Sequence, residues 1–133
     1  MQGMRTVMAQ QNVYNATNGM RPALVTSFRH VIIMLTVTVA GTAGKKAFVR
    51  GSAQQANVTF TSGATETNFH SPLQVKNLSD GTTINGSVGL PVDATGVFMY
   101  EVNTNLISWL GFDTTDLGGA VFNMDVVAGG GES

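Results

Sequence analysis

The sequence contains no cysteine, which excludes disulfide frameworks, zinc ribbons and thiol chemistry together. Charge is the second scarcity. Lys, Arg, Asp and Glu make up 11 % of the 133 residues, against roughly 25 % in an average soluble domain. Hydrophobic residues nevertheless reach 43 %, so the chain is short of charge and not of core-forming side chains. A disordered polyampholyte pairs low hydrophobicity with high net charge, and here the net charge is −1. That balance also lacks the basic footprint of a nucleic-acid binder, so no nucleic acid is expected as a partner. Long apolar runs are missing too. The longest, Val31 to Ala40 (VIIMLTVTVA), would cover about 15 Å as a helix, half of a hydrocarbon core of roughly 30 Å. No membrane partner is expected, and the mostly polar residues before the run argue against a secretory leader.

What is present is a succession of short β patterns. Thr36-Val37-Thr38-Val39 is β-branched throughout, which crowds a helix and suits a pleated strand. Ala23 to Phe28, Val31 to Ala40, Ala47 to Arg50, Asn57 to Thr61, Leu73 to Lys76 and Val97 to Val102 all read as strands between Gly, Asn, Asp and Ser punctuation. Asp80-Gly81 is a favoured hairpin pair. Ile84, Val88 and Leu90 are expected on one face, and Pro91 ends that segment or marks an edge. In Ala120 to Ala128 the residues Ala120, Phe122, Met124, Val126 and Ala128 share one side, opposite Val121, Asn123, Asp125 and Val127. Seven to nine short strands in one domain-length chain predict an all-β protein, an antiparallel β-sandwich of jelly-roll or immunoglobulin-like topology. The expected layout is an extended N-terminal arm over 1–22, a sandwich over 23–128 and a flexible Gly-rich tail over 129–133.

No motif specifies a reaction, and neither a catalytic residue nor a cofactor or metal is assigned. Gly41-Thr42-Ala43-Gly44-Lys45-Lys46 superficially matches a phosphate loop, but Val39 stands where the first glycine belongs and Lys46 where the Ser or Thr belongs. It reads as a Gly-rich hairpin loop. Ser87 in Asn85-Gly86-Ser87-Val88-Gly89 approaches a nucleophile elbow, with Asn85 replacing the first glycine. His30 and His70 are the only imidazoles and read as structural. Asp113 and Asp116, with Asp80 or Asp93, offer oxygen ligands of the kind Ca²⁺ takes, but Asp113-Thr114-Thr115-Asp116 reads better as a turn. Asn15, Asn57, Asn77 and Asn85 each open an Asn-x-Ser/Thr sequon, as expected by chance in a chain this rich in those residues. Trp109, inside an apolar segment between Leu106 and Phe112, reads as a core residue.

The charges are sorted by sign along the chain. Arg5, Arg21, Arg29, Lys45, Lys46 and Arg50 precede the first acid, Glu66; from Glu66 onward eight acids face one base, Lys76. The two parts carry +6 and −7. Such asymmetry points to an interaction role, unless strands of the two parts interleave and their charges meet within the fold.

In its lack of cysteine, few charges, Val/Thr/Gly/Asn-rich strands, Asn/Gln-rich arm and Gly-rich tail, the whole chain resembles the small structural proteins of tailed-bacteriophage virions. Among these are decoration or cement proteins, tail-tube subunits and fibre pieces. The resemblance implies a decoration or cement protein on the capsid surface, a single β-domain that bridges neighbouring shell subunits. Its implied partners are the major capsid protein or another virion protein and further copies of itself, with a trimer favoured. A tail-tube or fibre component, or a carbohydrate- or receptor-binding module with Trp109 or Tyr100 as a stacking platform, is the alternative. In this reading Met4, Arg5, Val7, Met8, Val13, Tyr14 and Arg21 of the arm are the interaction residues.

Overall fold

In a computed structural model, residues 10–17, 19–20, 23–25, 28–53, 73–113 and 117–130 are described. They form eleven strands: β1 (Gln11–Asn15), β2 (Gly19–Met20), β3 (Ala23–Leu24), β4 (His30–Val39), β5 (Lys46–Ser52), β6 (Val75–Asn77), β7 (Thr83–Ile84), β8 (Leu90–Pro91), β9 (Gly96–Asn103), β10 (Trp109–Asp113) and β11 (Val121–Gly130). The larger sheet has the order β2-β1-β11-β4-β9-β6-β7 and the smaller one β3-β10-β5-β8, with antiparallel pairing throughout.

Alternation decides which side chains are enclosed. In β4, Val31, Ile33, Leu35 and Val37 point inward and are at most 3 % exposed. Tyr100 and Val102 of β9, and Phe122, Met124 and Val126 of β11, extend that layer. The smaller sheet answers with Ala47 and Val49 of β5, Leu110 and Phe112 of β10, and Leu90 of β8. Fully burying a side chain such as Phe112 contributes about 1.5–3 kcal/mol. The all-β sandwich expected from the alternating segments is what the chain forms.

The strand order also identifies the kind of sandwich. Setting aside β2 and the β6–β7 hairpin, the remaining strands lie β1-β11-β4-β9 in one sheet and β3-β10-β5-β8 in the other. Each connection crosses between sheets, except the one joining the paired β5 and β8. This is the jelly-roll arrangement of two Greek keys; an immunoglobulin-like order would place consecutive strands side by side within a sheet. Crossing has a local consequence at Gly41–Lys46. Because β4 and β5 lie in different sheets, this loop is a corner between layers and not the hairpin expected.

Both ends of the expected layout are corrected where the structure describes them. Residues 11–15 and 19–20 are strands, not a free arm, because β1 pairs with β11. Gly129 and Gly130 are not a tail: they complete β11 opposite Val31 and His30. Glycine suits position 129, since a Cβ there would lie 2.6 Å from Phe28 Cδ1 and the ring would have to shift. The segment expected as a strand at Asn57 to Thr61 lies outside the described residues.

Candidate functional site

The outward side of the larger sheet is divided between apolar and polar halves. Across β9, β4, β11 and β1, the register aligns Met99, Met34, Asp125 and Asn12 in one row, and Leu78, in the turn just past β6, adjoins it with its N–H donating to Met99 O at 3.0 Å. The row above holds Val97, Thr36 and Asn123, and the row below Lys76, Glu101 and Ile32. Val97 is 60 % exposed, Leu78 41 % and Met99 40 %, with Ile32 and Met34 half-buried beside them. An antiparallel sheet usually alternates apolar-in and polar-out. Here Ile32 and Met34 of β4 and Val97 and Met99 of β9 are apolar on the outward side, flanked by Thr36, Glu101 and Asn103, so the middle of the face is hydrophobic.

The polar half of the face anchors the first strand. Asp125 is 8 % exposed although it points outward, because Gln10 and Asn12 cover it. Gln10 Nε2 donates to Asp125 Oδ2 at 3.1 Å and Asn12 Nδ2 donates to Oδ1 at 2.8 Å. A register shift between Asn12 and Tyr14 then turns Val13 and Tyr14 toward the core. Val13 is fully buried and the Tyr14 ring stacks on Phe122, centroids 4.7 Å apart at 28°. Two expected arm contacts, Val13 and Tyr14, are therefore parts of this chain's own sandwich. Met4, Arg5, Val7, Met8 and Arg21 lie outside the described residues.

The sites considered for chemistry fare differently. His30, Gln74, Val75, Lys76, Glu101 and Asn103 line a shallow groove of about 210 Å³. It brings an imidazole and a carboxylate to one place, but none of the six carries a hydroxyl or thiol nucleophile. Ser87 is exposed in a turn, where its N–H and Oγ both bond to Asn85 Oδ1. At the corner between β4 and β5, the Gly41 N–H donates to Val92 O, Thr42 N–H to Gly118 O, Lys45 N–H to Thr42 O and Gly44 N–H to Asp93 Oδ2. Four of the loop's amides are thus committed within the fold, one of them to a carboxylate. Among the described residues, no three of His, Asp and Glu gather as a metal ion would require. His70 and Asp116 lie outside them.

The aromatic platforms are also reassigned. Tyr100 is 2 % exposed and belongs to the core, and burial, with the Asp80 charge second, raises its phenol above 10.0. Trp109 is not the core residue expected. Leu110 and Phe112 take the inward positions of β10, leaving Trp109 half-buried on the outer side, opposite Ser52 and Leu24.

Three of the four sequons have a structural explanation beyond composition, and Asn57 lies outside the described residues. Asn15 Oδ1 accepts from the N–H of Thr17, Asn77 Oδ1 from Ser79 and Asn85 Oδ1 from Ser87, each two residues on. Asp80 with Thr82 and Asn103 with Asn105 do the same. These are Asx turns, in which the side chain replaces a backbone acceptor at a bend. The recurring signal was Asn or Asp two residues before Ser, Thr or Asn at a strand end.

The sorted charges are mixed by the topology. β4 and β5 of the basic part lie between β11 and β9 and between β10 and β8 of the acidic part. Asp93 takes the Gly44 N–H, and its carboxyl is lowered below 3.8 first by that bond, with a lesser contribution from the Lys46 charge. Comparison with protein-family models, with curated proteins and with solved structures found no match to this chain.

Proposed function

We propose that this chain is a structural protein of a tailed-phage virion, a decoration or cement protein that binds the capsid shell and bridges neighbouring subunits. The observation that carries this reading is the apolar half of the larger sheet's outward face, centred on Met34, Met99 and Val97, in a chain with 11 % charged residues. Solvated surfaces usually hold about 25–35 % charged residues, and contiguous exposed apolar areas mark interaction sites. Bridging by area suits such a surface, because apolar contact needs no catalytic geometry. The jelly roll is compatible with this role, though the fold serves many others.

The experiment adds the purified protein to tailed-phage heads stripped of their decoration and measures co-sedimentation. Saturable binding at a stoichiometry matching the shell's symmetry, lost on Met99→Lys, is the expected result. Absence of binding to any head, together with a saturable glycan-array signal abolished by Trp109→Ala, would replace this reading with carbohydrate recognition.

A further inference from the structure

We propose that residues 1–9 of one copy of this chain dock on the apolar outward face of the larger sheet of a second copy. This rests on the reading above only in taking that face to be covered in an assembly, and it names what covers it.

Three observations converge. The exit point of the segment is fixed, because Gln10 and Asn12 both bond to Asp125 on the outward face itself. The direction is fixed too. β1 runs antiparallel to β11, with Gln11 opposite Val126, so Gln10 enters the strand from the end of the sheet where His30 pairs with Asn103. The apolar residues Met99 and Val97 lie the other way along β9. To cover them within its own copy, the segment would have to reverse immediately before Gln10. The residues there are Val7, Met8 and Ala9, with no proline in 1–9 and the only glycine at position 3; none of the turn-forming types stands where the reversal is needed. A neighbour's face needs no reversal.

Length and chemistry match this occupant. Nine residues reach up to roughly 30 Å, whereas the strand spacings from the β6 turn to β11 add to about 14 Å. Met1, Met4, Val7 and Met8 supply flexible apolar side chains for a face built on Met34 and Met99. Arg5, the segment's one charged side chain, is complementary to Glu101 at the border of the face. Such a contact joins unlike surfaces of two copies, so it generates a ring where the rotation closes.

The test uses the full chain and sedimentation velocity, without any shell present. The unaltered protein is expected to sediment as an oligomer. Met4→Glu combined with Met8→Glu is expected to give a monomer, and so is Met99→Lys, with circular dichroism and melting unchanged. Val97→Glu, at the most exposed position of the face, serves if Met99→Lys fails to fold. The deciding measurement mixes the segment variant with the face variant. One retains an intact face and the other an intact segment, so a dimer is expected from two monomers. A mixture that remains monomeric overturns the proposal, as does an unaltered chain that is itself monomeric. Dissociation by Met99→Lys but not by the segment variant would show the face packing against another face, and overturns it equally. Shell binding by a monomer would sink this inference and leave the proposed function standing; an oligomer indifferent to shells would do the reverse.

Discussion

Asn12 faces Asp125 across β1 and β11, and its amide donates to the carboxylate at 2.8 Å from a position 113 residues earlier in the chain. With Gln10 on the other oxygen, Asp125 ties the first strand of the fold to the last. Asp125→Ala removes the shared acceptor of two amides whose residues are themselves exposed, so water can take its place. A loss of about 0.5–1.5 kcal/mol is expected, measured by chemical denaturation. Amide exchange should quicken in β1 while β4 stays protected. Unchanged exchange in β1 would mean that backbone pairing alone retains the strand.

Gly129→Ala places a methyl group against the Phe28 ring, where the closest approach would be 2.6 Å. Overpacking of this kind costs about 1–3 kcal/mol. The melting temperature should fall, and Phe28→Leu in the same chain should recover part of the loss. A neutral Gly129→Ala would show that the ring moves aside freely.

Acid should weaken the fold through two turn carboxylates. Hydrogen bonds lower both: at Asp80 from the Thr82 hydroxyl first and its N–H second, at Asp93 from the Gly44 N–H. A depressed folded-state value stabilises the fold above the unfolded value, near 3.8, and that contribution disappears as pH falls through the lower folded value. Tyr14 and Tyr100, both raised by burial, act at the opposite limit. Their contribution is full below pH 10.0 and is lost as pH rises through their higher folded values. Denaturation midpoints against pH should decline at both ends, with the acid decline reduced in Asp80→Asn/Asp93→Asn. An identical acid limb in that double variant would assign it to other groups.

Self-association should respond little to salt. Screening acts on exposed charges beyond roughly 10 Å at 0.1 M, whereas the contact area proposed above is apolar apart from its border. If the proposed contact forms, sedimentation at rising NaCl is expected to give a constant oligomer fraction. A steep decline would place the sorted charges at the interface instead.

The sequence pattern was most informative where alternation was strict. In Ala120 to Ala128, Phe122, Met124 and Val126 are buried as the alternation requires, but a register shift after Val126 sets Ala128 opposite the outward-facing Ile32. Asp80-Gly81 marks the turn before β7, and Pro91 falls in the edge strand β8. Val88 departs from its expected face because Asn85 to Val88 closes a turn, which leaves it 52 % exposed. β1 was hidden for another reason. Its register shift breaks the period of two, and its pairing partner β11 lies far along the chain. Truncation at residue 21 would therefore remove two strands and Val13 from the core, so any test of the N-terminal segment must spare Gln10 and the strands β1 and β2 beyond it. The jelly-roll order itself is a property of distant pairings that no local window records.

The same distant pairing governs when the protein folds. β4 lies between β9 and β11, so its Val31 to Val39 run leaves the ribosome long before either neighbour has been synthesised. Contacts so remote in sequence make for slow, late folding, and unpaired β-branched runs associate readily in the interval. Nascent chains should therefore remain protease-sensitive until β11 emerges, and a chaperone that shields Val31 to Ala40 should raise the yield of folded protein.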